Sequence, residues 1–272
     1  MFLYSENQAY NSKLILKNYG NNIYRLIYLN KSKEKGFEEY QKENKIHYEK
    51  INGSFESSIV RTKSHIKELV LCNDFDYFAT WTINEKLQDR FSLDKVVENM
   101  KKDLKAYQRK FKDFKYLYII EKHENGAFHF HGFVKGIPED ELILYTKDDY
   151  NLEKGNKLPY NLIEQIQKGE KIYHINFFDE RKGHNTFSKV KSKIASSFYI
   201  LKYITKNPVR TSENQIYFRS RGLKMATVER LQLNDNLISL VKEKGFKNDF
   251  GAFYDFNFND LDDKIKLDFI LQ

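Results

Sequence analysis

The sequence predicts an α+β fold in which an antiparallel five-stranded central sheet is flanked by helices. Short segments rich in aromatic and β-branched residues recur between residues 76 and 222. A longer segment with helical spacing of its apolar residues separates the first two of them. Glu124-Asn125-Gly126 lies between the second and the third of these segments and is a tight-turn signal. The second and third strands are therefore predicted to be antiparallel neighbours. Strands and helices in this mixed order are typical of the α+β class.

The strands are predicted at residues 76–83, 116–121, 128–134, 171–178 and 216–222. The first helix is expected to begin after Ser92, with Asp94 in its first turn and one apolar stripe running to Phe111. A second helix is expected at residues 160–168 within an otherwise polar loop. A third should run from near Ser192 to Lys206, because the residue before a proline disfavours helix and Asn207-Pro208 follows.

Charge and composition divide the chain into three predicted parts. Residues 1–70 are interpreted as an N-terminal extension, partly helical, with an exposed turn at residues 31–36. Residues 71–225 contain every motif described below and carry 28 Lys+Arg against 21 Asp+Glu. Residues 226–272 form an acidic C-terminal segment, with 6 Lys+Arg against 9 Asp+Glu, and have no assigned role.

The net charge of +8 and the isoelectric point near 9.1 favour a polyanionic partner such as nucleic acid. A single cysteine, Cys72, excludes an intrachain disulfide and a cysteine zinc cluster. The chain contains no apolar run of membrane-spanning length and no secretory pattern at its start. We therefore expect a cytoplasmic protein that binds no membrane.

Two histidines alternate with hydrophobic residues in the predicted strand 128–134. Residues two apart on a strand point to the same side, so the imidazoles of His129 and His131 face one point. Two imidazoles that converge in this way are a metal-site geometry. The sequence therefore predicts that both residues are metal ligands.

A carboxylate would complete a facial ligand set suited to Mn²⁺ or Mg²⁺. If the turn has three residues and Gly126 is left-handed, Glu121 lies opposite His129 and points the same way. Glu121 is therefore the predicted third ligand. His123 shares that face and is the second choice, whereas a two-residue turn would put Lys122 in this position instead.

A second motif follows the histidines by about seventy residues. Tyr199, Lys202, Tyr203 and Lys206 occupy positions i, i+3, i+4 and i+7 of the predicted helix and share one face. A tyrosine can attack a phosphodiester and conserve its bond energy, provided that a cation or proton transfer to water activates the phenol. The alternative interpretation is an amphipathic helix whose tyrosines reach the surface.

Together the two motifs resemble the HUH endonucleases, in particular the rolling-circle replication initiators of the phage gene A and gene II type. The resemblance spans about residues 75–225. It rests on four segments: the strand 78–82, His129-Phe130-His131, the tyrosine helix at 199–206, and Ser220-Arg221-Gly222-Leu223-Lys224. It implies an RRM-like or ferredoxin-like sheet, Mn²⁺ or Mg²⁺ as cofactor, and site-specific nicking and rejoining of origin DNA through a 5′-phosphotyrosine.

The resemblance also implies roles for single residues. Tyr199 is the expected nucleophile, and Tyr203 either attacks in a second round or is only a neighbour. Lys202 would neutralise the phosphate or the tyrosinate. Lys206 either contacts the DNA backbone or is a favourable cation at the helix end. Further backbone contacts are expected from five basic residues: Lys189, Lys191, Lys193, Arg219 and Arg221.

The resemblance further implies a bacterial host, no small-molecule substrate, and single-stranded or hairpin origin DNA of a phage or plasmid as the partner. Because the chain has no P-loop motif, a host helicase is expected to unwind the DNA, and the free 3′-OH would prime a host polymerase. Two alternatives remain open. One is a transposase or relaxase of the same superfamily, although relaxases usually place the tyrosine before the histidines. The other is a non-catalytic RRM-like nucleic-acid-binding module.

Overall fold

The computed structural model describes residues 13–30, 53–146, 160–206, 209–212, 215–248 and 251–272. The predicted turn at residues 31–36 and the Asn207-Pro208 stop signal lie outside these ranges. The chain divides into two compact units. Residues 1–57 and 224–272 form what we call the terminal unit, and residues 58–223 form the central unit.

The secondary structure alternates between strands and helices along the whole chain. The strands are β1 Leu14–Gly20, β2 Ile23–Leu29, β3 Tyr77–Ile83, β4 Lys115–Lys122, β5 Phe128–Lys135, β6 Ile143–Leu144, β7 Ile172–His174, β8 Gly183–Lys189, β9 Tyr217–Arg219, β10 Thr227–Leu231, β11 Phe246–Asn248 and β12 Gly251–Asn257. The α-helices are α1 Gly53–Cys72, α2 Leu93–Lys110, α3 Tyr160–Gln167, α4 Asn176–Lys182, α5 Lys193–Tyr199, α6 Leu201–Lys206, α7 Asp235–Lys244 and α8 Asp263–Ile270. Two short 3₁₀ helices lie at Glu139–Glu141 and Phe258–Asp260.

The terminal unit contains a five-stranded antiparallel sheet in the order β10-β1-β2-β12-β11. Apolar residues of α7 and α8 pack against one of its faces. The N-terminal part therefore contributes a β-hairpin, in addition to the helix expected there. Its turn at Asn21 and Asn22 has positive φ angles of 51° and 60°, a backbone that asparagine tolerates.

The central unit contains a seven-stranded antiparallel sheet in the order β6-β7-β8-β3-β5-β4-β9. The predicted α+β class with antiparallel pairing and flanking helices is confirmed. The sheet that carries the histidines is wider than the five strands expected, because the short strands β6 and β7 extend one edge and β8 inserts beside β3. Among the described residues, no helix is long and apolar enough to cross a membrane.

The predicted strand at residues 171–178 is wrong beyond His174, because α4 begins at Asn176. The side-chain oxygen of Asn185 accepts a hydrogen bond from the Ile175 backbone N–H at 2.9 Å, and its amide donates to the Ile175 carbonyl at 3.1 Å. Asn185 thus occupies the backbone groups that a longer strand would need for pairing. The chain turns away into α4, where Phe178 is fully buried.

Each face of the central sheet is covered by helices. The predicted apolar stripe of α2 is buried against one face, where Trp81 is completely enclosed. Residues of α1 and α6 cover the other face and pack on Leu117, Ile119 and Phe133. His129 and His131 belong to this second face, because they alternate with buried Phe130 along β5.

Gly132 allows β4 and β5 to approach closely at the histidine segment. A Cβ atom at this position would lie 2.1 Å from the Leu117 carbonyl oxygen and 2.5 Å from the ring of Tyr118. A larger residue would therefore push the two strands apart. The glycine after His131 thus keeps the strand pair in the register on which the site depends.

The predicted helix from Ser192 to Lys206 is present as two short helices that meet at Ile200. Ser192 is the N-cap, and its hydroxyl accepts a hydrogen bond from the Ala195 backbone N–H at 3.3 Å. At the junction, the Tyr203 N–H donates to the Ile200 carbonyl at 3.3 Å, an i to i−3 bond that tightens one turn. Tyr199 therefore ends α5, and Tyr203 lies within α6.

Candidate metal centre and tyrosine pair

The β4–β5 hairpin has the three-residue turn that the sequence predicts. Gly126 is left-handed with φ +87°, and the His123 backbone N–H donates to the Ala127 carbonyl at 2.9 Å. Glu121 lies opposite His129 in the resulting register, which is therefore confirmed. Both side chains point to the face of the sheet that carries His131.

Glu121, His123 and His131 form a cluster in which one ligand atom from each residue lies within 4.8 Å of the others. A Glu121 carboxylate oxygen is 2.8 Å from His131 Nε2 and 3.4 Å from His123 Nε2. His131 is almost fully buried, whereas His123 is nearly half-exposed. The cluster is thus buried in the sheet at His131 and exposed to solvent at His123, next to the hairpin turn.

His129 lies directly beside this cluster. Its ring stacks on that of His123, with 3.7 Å between centroids and 25° between planes. The structure therefore groups Glu121 and His131 with the second-choice ligand His123 and places the predicted ligand His129 against it. The ligand role of His129 stays a prediction.

Two threonines of β3 contact the histidines of β5 and were not predicted from the sequence. Thr80 Oγ1 lies 3.1 Å from His131 Nδ1, and Thr82 Oγ1 lies 3.3 Å from His129 Nδ1. Each threonine is paired directly opposite its histidine across the two strands. A hydroxyl can donate or accept, so it suits both neutral tautomers of the ring. The signal was the alternation Phe78, Thr80, Thr82 along β3, which becomes informative only with the register.

Replacement of Thr80 by valine is expected to weaken Mn²⁺ binding by about 10- to 100-fold. A metal on His131 Nε2 requires the proton on Nδ1, and the Thr80 hydroxyl then accepts that proton in a hydrogen bond. Valine has a similar shape but has no oxygen to accept this hydrogen bond. Titration calorimetry with Mn²⁺ measures the loss, and Thr227→Val on β10 is the control. Equal affinities for the two variants would contradict this role of Thr80.

Burial and neighbouring charge keep Glu121, His129 and His131 in the protonation states that a metal requires. Burial lowers the pKa of His129 to about 4, and His123 and His131 add to this shift by charge repulsion. Burial also lowers the pKa of His131, although its hydrogen bond to Glu121 acts in the opposite direction. The hydrogen bond from His131 lowers the pKa of Glu121. Neutral imidazoles beside a carboxylate are therefore favoured near neutral pH.

The metal-free protein is expected to lose stability as the pH falls from about 6.5 to about 4. Unfolded His129 takes up a proton near pH 6.5, whereas folded His129 does so only near 4, so the unfolded state binds more protons in this window. The contribution is at most about 3 kcal/mol. Urea unfolding followed by the fluorescence of Trp81, the only tryptophan, measures it. An equally steep pH dependence in His129→Gln would contradict the assignment.

The two tyrosines of the second motif lie beside the cluster. The ring of Tyr203 stacks on that of His131, with 3.8 Å between centroids and 12° between planes. The hydroxyl of Tyr203 donates a hydrogen bond to the hydroxyl of Tyr199 at 3.0 Å. Phe78 contacts both tyrosine rings from β3. Tyr199 is 43% exposed.

The basic residues predicted to act at the site differ in their contacts and in their exposure. The Lys202 ammonium lies 4.7 Å from the ring centre of Tyr199, close enough to influence its phenol. Lys193 forms an ion pair with Asp74. Arg219 and Arg221 are exposed on and after the edge strand β9. Lys206 ends α6, and its side chain lies outside the described part of the structure.

A groove of about 550 Å³ opens at the tyrosine pair and passes along β3 and β8. Tyr199, Tyr203 and His131 line one end, and the lining also includes Lys189, the last residue of β8, and Lys191 just beyond it. Between them the wall is rich in hydroxyl and imidazole side chains, including Thr186 and His184. Sequence reasoning missed Thr186 and His184 because the strand β8 was not predicted.

The segment that contains the cluster, both tyrosines and the groove is similar to a known family. Residues 76–208 match the family model described as replication-associated protein ORF2/gene 2 protein. The match covers slightly less than half of the 272-residue chain. No curated protein and no solved structure is significantly similar to the chain.

Proposed function

We propose that the central unit is a metal-dependent nickase that cleaves and rejoins single-stranded origin DNA to start rolling-circle replication. The observation that carries this proposal is the series of contacts from Tyr199 through Tyr203 to His131, with 3.0 Å between hydroxyls and 3.8 Å between rings. These contacts support a reaction in which the Tyr199 phenol acts beside a metal ion. The similarity of residues 76–208 to replication-associated proteins supports DNA as the substrate.

The cluster fits Mn²⁺ or Mg²⁺ through Glu121, His131 and an imidazole of the stacked His123–His129 pair. The separations of 2.8 and 3.4 Å from the Glu121 oxygen are close to the ~3 Å between neighbouring ligands of an octahedral ion with bonds of ~2.1 Å. Mixed carboxylate and imidazole donors suit Mn²⁺ well. When bound, such an ion supplies Lewis-acid stabilisation of charge on the non-bridging phosphate oxygens.

Tyr199 is the nucleophile in this proposal. Its phenolic oxygen forms a bond to phosphorus while the bond from phosphorus to the 3′ oxygen breaks. The 3′ oxygen takes up a proton and becomes a free hydroxyl, and the phenolic proton of Tyr199 passes to solvent. The reverse attack, by the 3′ hydroxyl on the phosphotyrosine, restores the diester without a nucleotide cofactor, because the bond energy is conserved.

Tyr203 is a hydrogen-bond donor to Tyr199 rather than a second nucleophile. Burial raises the pKa of Tyr203 and the hydrogen bond to Tyr199 adds to this shift, so its phenol stays protonated. A protonated phenol 3.0 Å away stabilises the Tyr199 oxygen as negative charge develops on it. The nearby Lys202 ammonium adds a positive charge on the same helix face.

The test uses a pool of random single-stranded oligonucleotides, incubated with the protein and Mn²⁺ and resolved on a denaturing gel. A 5′-phosphotyrosine retains the 3′ part of the strand, so a 3′ label should migrate with the protein while a 5′ label leaves on a shorter strand. Sequencing of the retained strands then identifies the cleaved site. Chelation of the metal should abolish the adduct. Retention of the 5′ label, or no adduct at all, would contradict the proposal.

A further inference from the structure

A second cavity, of about 540 Å³, lies at the β9 edge of the central sheet. Its walls come from α1, α2, β4 and the segment that contains β9, and none of its lining residues belongs to the metal cluster or the tyrosine pair. We call it the edge cavity. Because β9 is the last strand of its sheet, the cavity lies at an edge of that sheet.

Positive charge and neutral polar groups dominate the edge cavity. Lys101 of α2 and Arg219 of β9 both line it. Ser58 also lines it, and its hydroxyl accepts a hydrogen bond at 2.9 Å from Arg210, which adds a third cation close by. Among the described residues that line the cavity, none is acidic. This composition favours an anion over a cation or an uncharged ligand.

Aromatic and amide side chains supply the other half of a recognition site. Tyr116, Tyr217 and Gln215 line the same cavity as the cations. Aromatic rings can stack on a nucleobase, and an amide can bond to its edge, while the cations hold the phosphate. The chemistry of the edge cavity therefore suits a nucleoside phosphate.

The Ser220-Arg221-Gly222 segment anchors the edge strand that presents Arg219. Ser220 is buried, its N–H donates to the Tyr116 carbonyl at 3.0 Å, and its hydroxyl accepts from the Tyr116 N–H at 3.1 Å. Gly222 then turns the chain with φ +77°. The backbone at Arg219 is thus fixed by the hydrogen-bonded turn that follows it.

Among the lining residues, Arg219 lies on the face of the sheet that carries the metal cluster, whereas α2, which carries Lys101, covers the other face. Arg219 pairs with Leu117, and Leu117 points to the same side of β4 as Glu121. Four residues along a strand correspond to about 13 Å. Arg219 and the metal cluster are thus separated by a distance that a few nucleotides of single-stranded DNA can span.

We propose that the edge cavity binds one nucleotide of the substrate strand, a few nucleotides from the cleaved phosphate. This inference rests on the proposed nickase function and extends it to a second DNA contact. Its chemistry is that of a nucleoside phosphate, so a free deoxynucleotide is the other source of the same ligand.

The test measures the affinity of a fluorescent single-stranded oligonucleotide by anisotropy, with chelator present so that no cleavage occurs. Lys101→Gln and Arg219→Gln are each expected to weaken binding about fivefold to tenfold, and to lower the slope of log affinity against log salt by about 0.7. Lys102→Gln is the matched control, because Lys102 is the next residue of α2, is exposed and pairs with Glu98. This control should stay within about twofold of the wild type.

Equilibrium dialysis with dATP separates the two sources of the ligand. Weaker DNA binding without dATP binding assigns the cavity to the DNA strand, and dATP binding that disappears in Arg219→Gln assigns it to a free nucleotide. Unchanged DNA affinity and salt slope, with no dATP binding, would overturn the inference. If the wild type forms no covalent adduct, the nickase proposal fails by itself, because this binding assay does not depend on cleavage.

Discussion

Replacement of Tyr199 by phenylalanine is expected to abolish the covalent protein–DNA product, with a loss of about a thousandfold or more in cleavage rate. The phenylalanine ring keeps the contact with Phe78 and removes only the attacking oxygen. The rate of adduct formation on the sequenced substrate strand, followed with a 3′ label, measures the loss. Thermal unfolding of the variant should match the wild type.

Tyr203→Phe is the matched control, since it removes a hydroxyl one helical turn away. We expect this variant to retain the adduct on Tyr199 and to slow its formation by about 10- to 100-fold. Its pH–rate profile should move to higher pH, because the Tyr199 oxygen loses the donor that stabilises its charge. Mass spectrometry that finds DNA on Tyr203 of the wild type would contradict this division of roles.

Loss of the proposed metal centre is expected to have the second large effect. His131→Ala and Glu121→Gln are each expected to lower cleavage by about a thousandfold at a fixed Mn²⁺ concentration, because the ion that stabilises the transition state is no longer held. His131 has the strongest structural case, since it contacts Glu121, Thr80 and Tyr203. Titration calorimetry should show that Mn²⁺ binding is lost together with activity.

The same assay decides between the two stacked histidines. His123→Ala should remove metal binding if the observed cluster is the ligand set, and His129→Ala should do so if the ligand is the one predicted from the strand pattern. His65→Ala on α1 is the control and should bind Mn²⁺ like the wild type. Full cleavage by both His131→Ala and Glu121→Gln would show that the reaction does not use this cluster.

The hairpin of the candidate site could be predicted because its determinants are local. The Glu124-Asn125-Gly126 turn fixes the register, and alternation along β5 then places both histidines and Glu121 on one face. Four-residue spacing likewise predicted that Tyr199 and Tyr203 would be neighbours. Local sequence patterns were therefore enough to predict which residues of the candidate site are neighbours, although not the distances between them.

Features that depend on distant pairing could not be predicted. The terminal unit joins β1 to β10 and β2 to β12, which are separated by more than two hundred residues, and no sequence pattern states that pairing. The threonines of β3 and the hydroxyl-rich wall of β8 acquire their roles only through the order of strands in the sheet. The edge cavity likewise combines residues from separate helices and strands.

The central claim is that the metal centre and the Tyr199 phenol act on the same phosphate. The most direct test is anomalous diffraction from crystals of Tyr199→Phe grown with Mn²⁺ and a single strand that contains the cleaved site. We predict a manganese peak bonded to His131, Glu121 and a non-bridging oxygen of the phosphate that faces position 199. A manganese peak elsewhere, or that phosphate bound away from residue 199, would contradict the account.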